Sequence, residues 1–170
     1  MQGWWRRVGV ASVLAGAVMV ESNTANAEFG GYVAGGLGVF DALHNNTAAE
    51  GRLEFRFDQS LFFIRPLVGT LFTNKGSLYA YGGFRFELPI GKHVLIMPNA
   101  AVGYYEKGDG KDLGSHAEFK TGVELDLIFA NGIRVGPAFD HISNAGIGKK
   151  NPGEENLMMM VSVPLGILAP

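Results

Sequence analysis

The chain has 170 residues, a formal net charge of −2, 25 glycines and no cysteine. One domain accommodates that length. The near-balanced charge leaves no basic stripe for nucleic acid, and the lack of cysteine excludes disulfide staples and thiolate metal sites.

In chain order, the first element is a leader. Arg6 and Arg7 precede an apolar run from Val8 to Val20, and Ala25-Asn26-Ala27 forms an A-x-A site ahead of Glu28. The run is shorter than the ~20 residues a membrane helix needs. Residues 1–27 therefore read as a cleavable signal peptide, and 28–170 as the mature domain. Without Arg6, Arg7 and Glu21 the mature chain keeps 12 basic and 15 acidic residues, a formal charge of −3.

The mature chain divides by period-two alternation into eight predicted strands, near 29–41, 48–58, 61–73, 77–89, 92–105, 114–130, 132–143 and 155–165. Leu53, Phe55 and Phe57 alternate with Glu54, Arg56 and Asp58; Val123, Leu125, Leu127 and Phe129 alternate with Glu124 and Asp126. Exported, without a second apolar span and built from such strands, the chain is expected to be an all-β, eight-stranded antiparallel transmembrane barrel of a Gram-negative outer membrane. Its apolar face would meet lipid and its charged face would fill the interior. Met158-Met159-Met160 reads as strand packing or lipid contact.

Connections alternate in length. Gln59-Ser60, Ile90-Gly91 and Asn131-Gly132 are expected as tight turns, the last as type I′ with positive φ at both positions. Ala42–Thr47, Glu106–Leu113 and Asn144–Glu154 are longer and more polar, with Asn74-Lys75-Gly76 a short exception. Short periplasmic turns and longer outer loops are the rule for such barrels.

The chemistry-bearing stretch is Asp140-His141-Ile142-Ser143-Asn144-Ala145-Gly146, followed by Asn151-Pro152-Gly153-Glu154-Glu155. His141 and Ser143 share one face of a strand, with Cβ atoms roughly 6–7 Å apart. Serine becomes a useful nucleophile when a base takes its proton, and the base needs an acid to fix its tautomer. Glu154 and Glu155 are both candidates for that acid. They face opposite ways, so one of them points at the histidine, and Asp140 faces away from it. Asn144, Asn151 and the amides near Ala145-Gly146 are candidate oxyanion donors. By itself an H-x-S on a strand is most simply a pair of solvated polar residues, and Lys149-Lys150 a solvated loop tip. His44, His93 and His116 read as dispersed polar residues without partners, so neither a metal set nor another cofactor is expected.

Taken together, His141-Ile142-Ser143-Asn144, then Asn151-Pro152-Gly153, then Glu155 and Pro164-Leu165 resemble the outer-membrane lipid A 3-O-deacylases (PagL). That family's pattern is H-x-S-N, an N-x-G turn, a glutamate and a final strand ending near Pro-Phe. The interval of 12 positions from Ser143 selects Glu155. The resemblance implies an ester hydrolase acting on the 3-hydroxyacyl chain at position 3 of lipid A, with lipopolysaccharide of the outer leaflet as its partner. Ser143 would be the nucleophile, His141 the base and Glu155 the orienting acid. Asn151 would be the side-chain oxyanion donor and the Gly146 region the backbone donor, with no cofactor. Lys149 and Lys150 become candidates for the lipid A phosphates. The chain departs from the family at its end, where Leu165 and Gly166 stand in place of an aromatic. A non-catalytic outer-membrane barrel, a soluble exported barrel binding an apolar ligand, and a phospholipase-type esterase are the alternatives.

Overall fold

The computed structural model describes residues 30–168; the expected leader lies outside them. The described chain runs through β1 (Gly31–Phe40), β2 (Ala48–Phe57), β3 (Arg65–Thr73), β4 (Leu78–Arg85), β5 (Leu88–Ile90), β6 (Val94–Glu106), β7 (Ala117–Ile128), β8 (Arg134–Ser143), β9 (Glu154–Pro164) and the single turn α1 (Leu165–Leu168). Neighbours pair antiparallel. β1 pairs with β9 and β4 with β6, which closes an eight-stranded barrel whose fourth strand is β4 and β5 together. That strand breaks at Phe86–Glu87. The Phe86 N–H reaches the Pro98 carbonyl at 2.9 Å, but Pro98 has no N–H to return, so one rung of the ladder is missing.

The alternation places side chains as expected. On β2, Glu50, Arg52, Glu54 and Arg56 are buried inside; on β7, Glu118, Lys120, Glu124 and Asp126 are. Leu53, Val68, Phe84, Val102, Val123, Leu125, Leu127 and Phe139 stand outside, exposed. Because lipid offers the backbone no hydrogen bonds, closure leaves no unpaired strand edge. An arginine at Val123, mid-strand on the lipid face, is expected to cost about 2–4 kcal/mol of stability, with a smaller loss for the same change near either rim. Chemical unfolding in vesicles reads both.

The interior is a polar core. The Arg56 guanidinium spans Glu54 (2.8 Å) and both Glu124 oxygens (2.9 and 2.7 Å), and donates to the Ser162 hydroxyl at 2.9 Å. Arg52 pairs with Glu50 at 2.9 Å and with Asp140, which also takes Lys120 at 3.3 Å. Gly122 makes room for this cluster, since a Cβ there would overlap the Asp140 carboxylate. Nearer the end that carries the long loops, Phe40, Leu71, Tyr79, Tyr105, Leu113 and Ile142 form an apolar plug.

The turns differ from expectation in two ways. Asn131-Gly132 is not type I′. Only Gly132 has positive φ (82°), and the 2.9 and 2.8 Å bonds between Phe129 and Ile133 and between Gly132 and Phe129 enclose a three-residue loop. Asn74-Lys75-Gly76 repeats that pattern, with Gly76 at φ 75° and Thr73 bonded to Ser77 and Gly76. One positive-φ glycine that closes a bulge suits both loops. The second difference concerns Gln59-Ser60, which is no tight turn. The chain continues to Leu61 and Ile64, which exchange two 3.0 Å backbone bonds around Phe62 (φ 49°) and Phe63 (φ 70°). The third strand therefore starts at Arg65, not near residue 61. The two rings project 84% and 87% exposed, where an aromatic belt sits at a membrane interface.

Candidate active site at the loop-bearing rim

β8 ends at Ser143 and β9 begins at Glu154, both at the barrel end that carries the long loops. His141 lies opposite Glu155 in the ladder and Ile142 opposite Glu154. His141, Ser143 and Glu155 thus face outward, while Asp140, Ile142 and Glu154 are fully buried inside. His141 Nδ1 lies 3.1 Å from Glu155 Oε1, with the imidazole 44% and the carboxylate 19% exposed. Of the adjacent glutamates, Glu155 is therefore the one that meets the histidine. Glu154 instead accepts the Asp41 N–H at 3.2 Å from inside the barrel.

With Nδ1 facing a carboxylate, the proton of a neutral imidazole belongs there, and the Nε2 lone pair is left on the side away from Glu155. Ser143 stands two residues on, on the same face. No His141–Ser143 hydrogen bond is present among the described residues.

The loop after β8 is a tight structure. Asn144 to Ile147 is a turn closed by a 3.1 Å backbone bond, with Ala145 at φ 53° and Gly146 at φ 82°. Both central residues have the positive φ of a type I′ turn. The buried Asn144 side chain holds the turn. Its oxygen accepts the Gly146 N–H at 2.9 Å, and its nitrogen donates to the Leu113 and Lys150 carbonyls, both at 2.8 Å. Asn144 is thus fully used in tying loops together. The exposed Asn151 accepts the Asn144 N–H through Oδ1 at 3.0 Å, leaving its NH₂ without a partner among the described residues. The Ala145 N–H is likewise unpaired there. Lys150 reaches Asp112 at 2.9 Å, and this ammonium, with the Gly114 amide, holds the Asp112 carboxyl below its ordinary range. Lys149 is exposed at the tip.

Two residues that the sequence reads only as a turn glycine and a dispersed histidine meet the site. Gly153 has φ 59°, and a Cβ there would lie 2.9 Å from His141 Cε1, so only a glycine lets the chain turn against that ring. His44, expected to have no partner, lies with Nδ1 3.1 Å from Glu155 Oε2 and 3.2 Å from Asp41 Oδ1. Asp41, His44 and Glu155 bring their ligating atoms within 4.8 Å of one another. The Lys111 ammonium, 2.6 Å from Asp41 Oδ1, already supplies a cation to that trio. The signal was Asp41-Ala42-Leu43-His44 at the end of the first strand, which closure of the barrel sets beside the last. Of the other histidines, His116 stacks on Tyr104 with its Nδ1 2.9 Å from the Tyr105 carbonyl.

The family model described as "Lipid A 3-O-deacylase (PagL)" matches residues 1–164. Among solved structures, one described as the crystal structure of the outer membrane enzyme PagL superposes with a TM-score of 0.60 at 25% identity, covering 78% of this chain and 99% of that one. A de novo designed transmembrane β-barrel superposes with a TM-score of 0.55 at 9% identity over 78% of this chain and 96% of its own, a likeness of fold alone. No curated protein matches the chain significantly. The chain belongs to the lipid A 3-O-deacylase (PagL) family.

Proposed function

We propose that this outer-membrane barrel hydrolyses the ester-linked 3-hydroxyacyl chain at position 3 of lipid A by a serine mechanism. The observation that carries the reading is the outward-facing set of His141, Ser143 and Glu155, with His141 Nδ1 3.1 Å from Glu155 Oε1 at the loop-bearing rim. Lipid A resides in the outer leaflet, and its acyl ester lies at the headgroup–acyl boundary. A site on the lipid-facing side of that rim meets the ester without drawing the substrate out of the membrane.

Ser143 Oγ attacks the ester carbonyl carbon while His141 Nε2 takes its proton. Glu155 keeps Nδ1–H directed and stabilises the imidazolium. The oxyanion is held by the Asn151 NH₂ and a backbone N–H of the Ala145-Gly146 turn. In this role Asn144 shapes the turn. Since its oxygen engages Gly146 N–H, Ala145 N–H is the backbone donor left free. The imidazolium then protonates the departing 3-oxygen of the sugar as the carbonyl–oxygen bond breaks. Water, deprotonated by His141, attacks the acyl-enzyme; the acyl–Ser143 bond breaks, the imidazolium returns its proton to Ser143 Oγ, and a 3-hydroxy fatty acid leaves. Lys149, exposed at the loop tip, is the candidate for a lipid A phosphate.

Purified barrel given lipid A and a diacyl phospholipid in mixed micelles tests the substrate. Release of 3-hydroxy fatty acid with intact phospholipid is expected; hydrolysis of the phospholipid instead would assign a phospholipase. Gly153→Ala, which must push the His141 ring aside, is expected to lower kcat about tenfold or more while the barrel still folds.

A further inference from the structure

The geometry points to His44 as a positioning residue that holds the Glu155 carboxylate in the orientation His141 needs; this rests on the triad proposed above. Glu155 has two oxygens, and His141 engages Oε1 only. A carboxylate held on one side can swing about its terminal torsion, which has broad minima. His44 occupies the other side, 3.1 Å from Oε2. Neither its contact with Oε2 nor that with Asp41 is aligned as a hydrogen bond; the ring confines the carboxylate by standing against Oε2.

His44 is itself held. Asp41 is fully buried, its Oδ2 accepts the Asn46 N–H at 3.1 Å, and its Oδ1 takes the Lys111 ammonium at 2.6 Å. The Asp41 N–H bonds to Glu154 and the Ala42 N–H donates to the Glu155 carbonyl at 2.7 Å, so the loop after β1 is sewn to the first two residues of β9. Asp41 adopts φ 56°, a left-handed conformation that aspartate tolerates better than most residues, and it turns the chain toward β9. The chain Lys111–Asp41–His44–Glu155–His141 thus links the loops after β1 and β6 to the base.

The test compares His44→Ala, Glu155→Ala, the double variant and Ser143→Ala, each confirmed as folded by its heat-modifiable migration. Steady-state deacylation is followed in lipid A micelles. His44→Ala is expected to lower kcat about tenfold with KM unchanged, because a misaimed carboxylate harms the transition state and not binding. In the Glu155→Ala background the same change is expected to cost nothing further, since residues acting through one another are not additive. Unchanged kcat in His44→Ala, a change confined to KM, or an undiminished loss in the Glu155→Ala background would overturn the role of His44 while leaving the triad standing. Full activity of Ser143→Ala or Glu155→Ala would overturn the triad and His44 together.

Discussion

Ser143→Ala is expected to lower deacylation by about 10⁶-fold, to the residual rate, still about 10³–10⁴-fold above the uncatalysed one, that oxyanion donors and binding alone support, while the barrel assembles normally. The serine lies at the last residue of β8, with an intermediate exposure and no side-chain hydrogen bond among the described residues. Its removal therefore leaves the ladder and the interior unaltered, and loss of activity with native heat-modifiable migration separates chemistry from folding. His141→Ala is expected to match it within a few-fold, since nucleophile and base act as one unit. Glu155→Ala is expected to fall less, because that carboxylate orients the base without touching the ester. A Ser143→Ala variant that keeps more than about a tenth of the parent rate would assign the nucleophile elsewhere.

The second large effect is on stability and lies at the barrel's centre. Arg56→Met leaves the Glu54 and Glu124 carboxylates and the Ser162 hydroxyl facing an apolar side chain in a buried interior. Removing one partner of a buried ionic network costs about 3–5 kcal/mol; here Glu124 loses its counter-ion and Glu54 keeps only Lys120, at 3.8 Å. Denaturant unfolding of the barrel in vesicles reads this as a lowered midpoint. Replacing Glu54 and Glu124 by glutamine in the same chain is expected to recover much of the loss, since the uncompensated charge is then gone. A loss below about 1 kcal/mol for Arg56→Met would mean that water enters the interior and solvates both glutamates.

The fold was legible because each strand carries its own address. Val123, Glu124, Leu125, Asp126 and Leu127 alternate without a fault, and one slip of register would expose the charges to lipid. The face of the candidate site was legible for the same reason. His141 and Ser143 share a strand face by spacing alone, and Glu155 differs from Glu154 by parity. The opposed burial of the two glutamates follows from that parity.

What escaped the sequence depends on closure and on local backbone. His44 lies 111 positions from Glu155 in sequence, and nothing in a linear reading sets the end of β1 beside the start of β9 until the barrel closes. The role of Gly153 comes from its distance to the His141 ring, where its sequence context, Pro-Gly, announces only a turn. Phe62-Phe63 reads as strand, since aromatics favour strands, yet the pair turns the chain in left-handed backbone geometry. Asn131-Gly132 identified a hairpin correctly and its turn type incorrectly. The difference is one extra residue, Ala130, whose inclusion moves the positive φ to the glycine alone.

The most direct measurement is the mass spectrum of lipid A from a Gram-negative host expressing the parent chain or its Ser143→Ala variant. Both must be verified as folded in the outer membrane. The parent is predicted to yield lipid A lighter by one 3-hydroxyacyl chain at position 3, and the variant lipid A identical to that of the host. Unchanged lipid A with the folded parent, or the same loss with both chains, would contradict the assignment of this rim as a serine deacylase site.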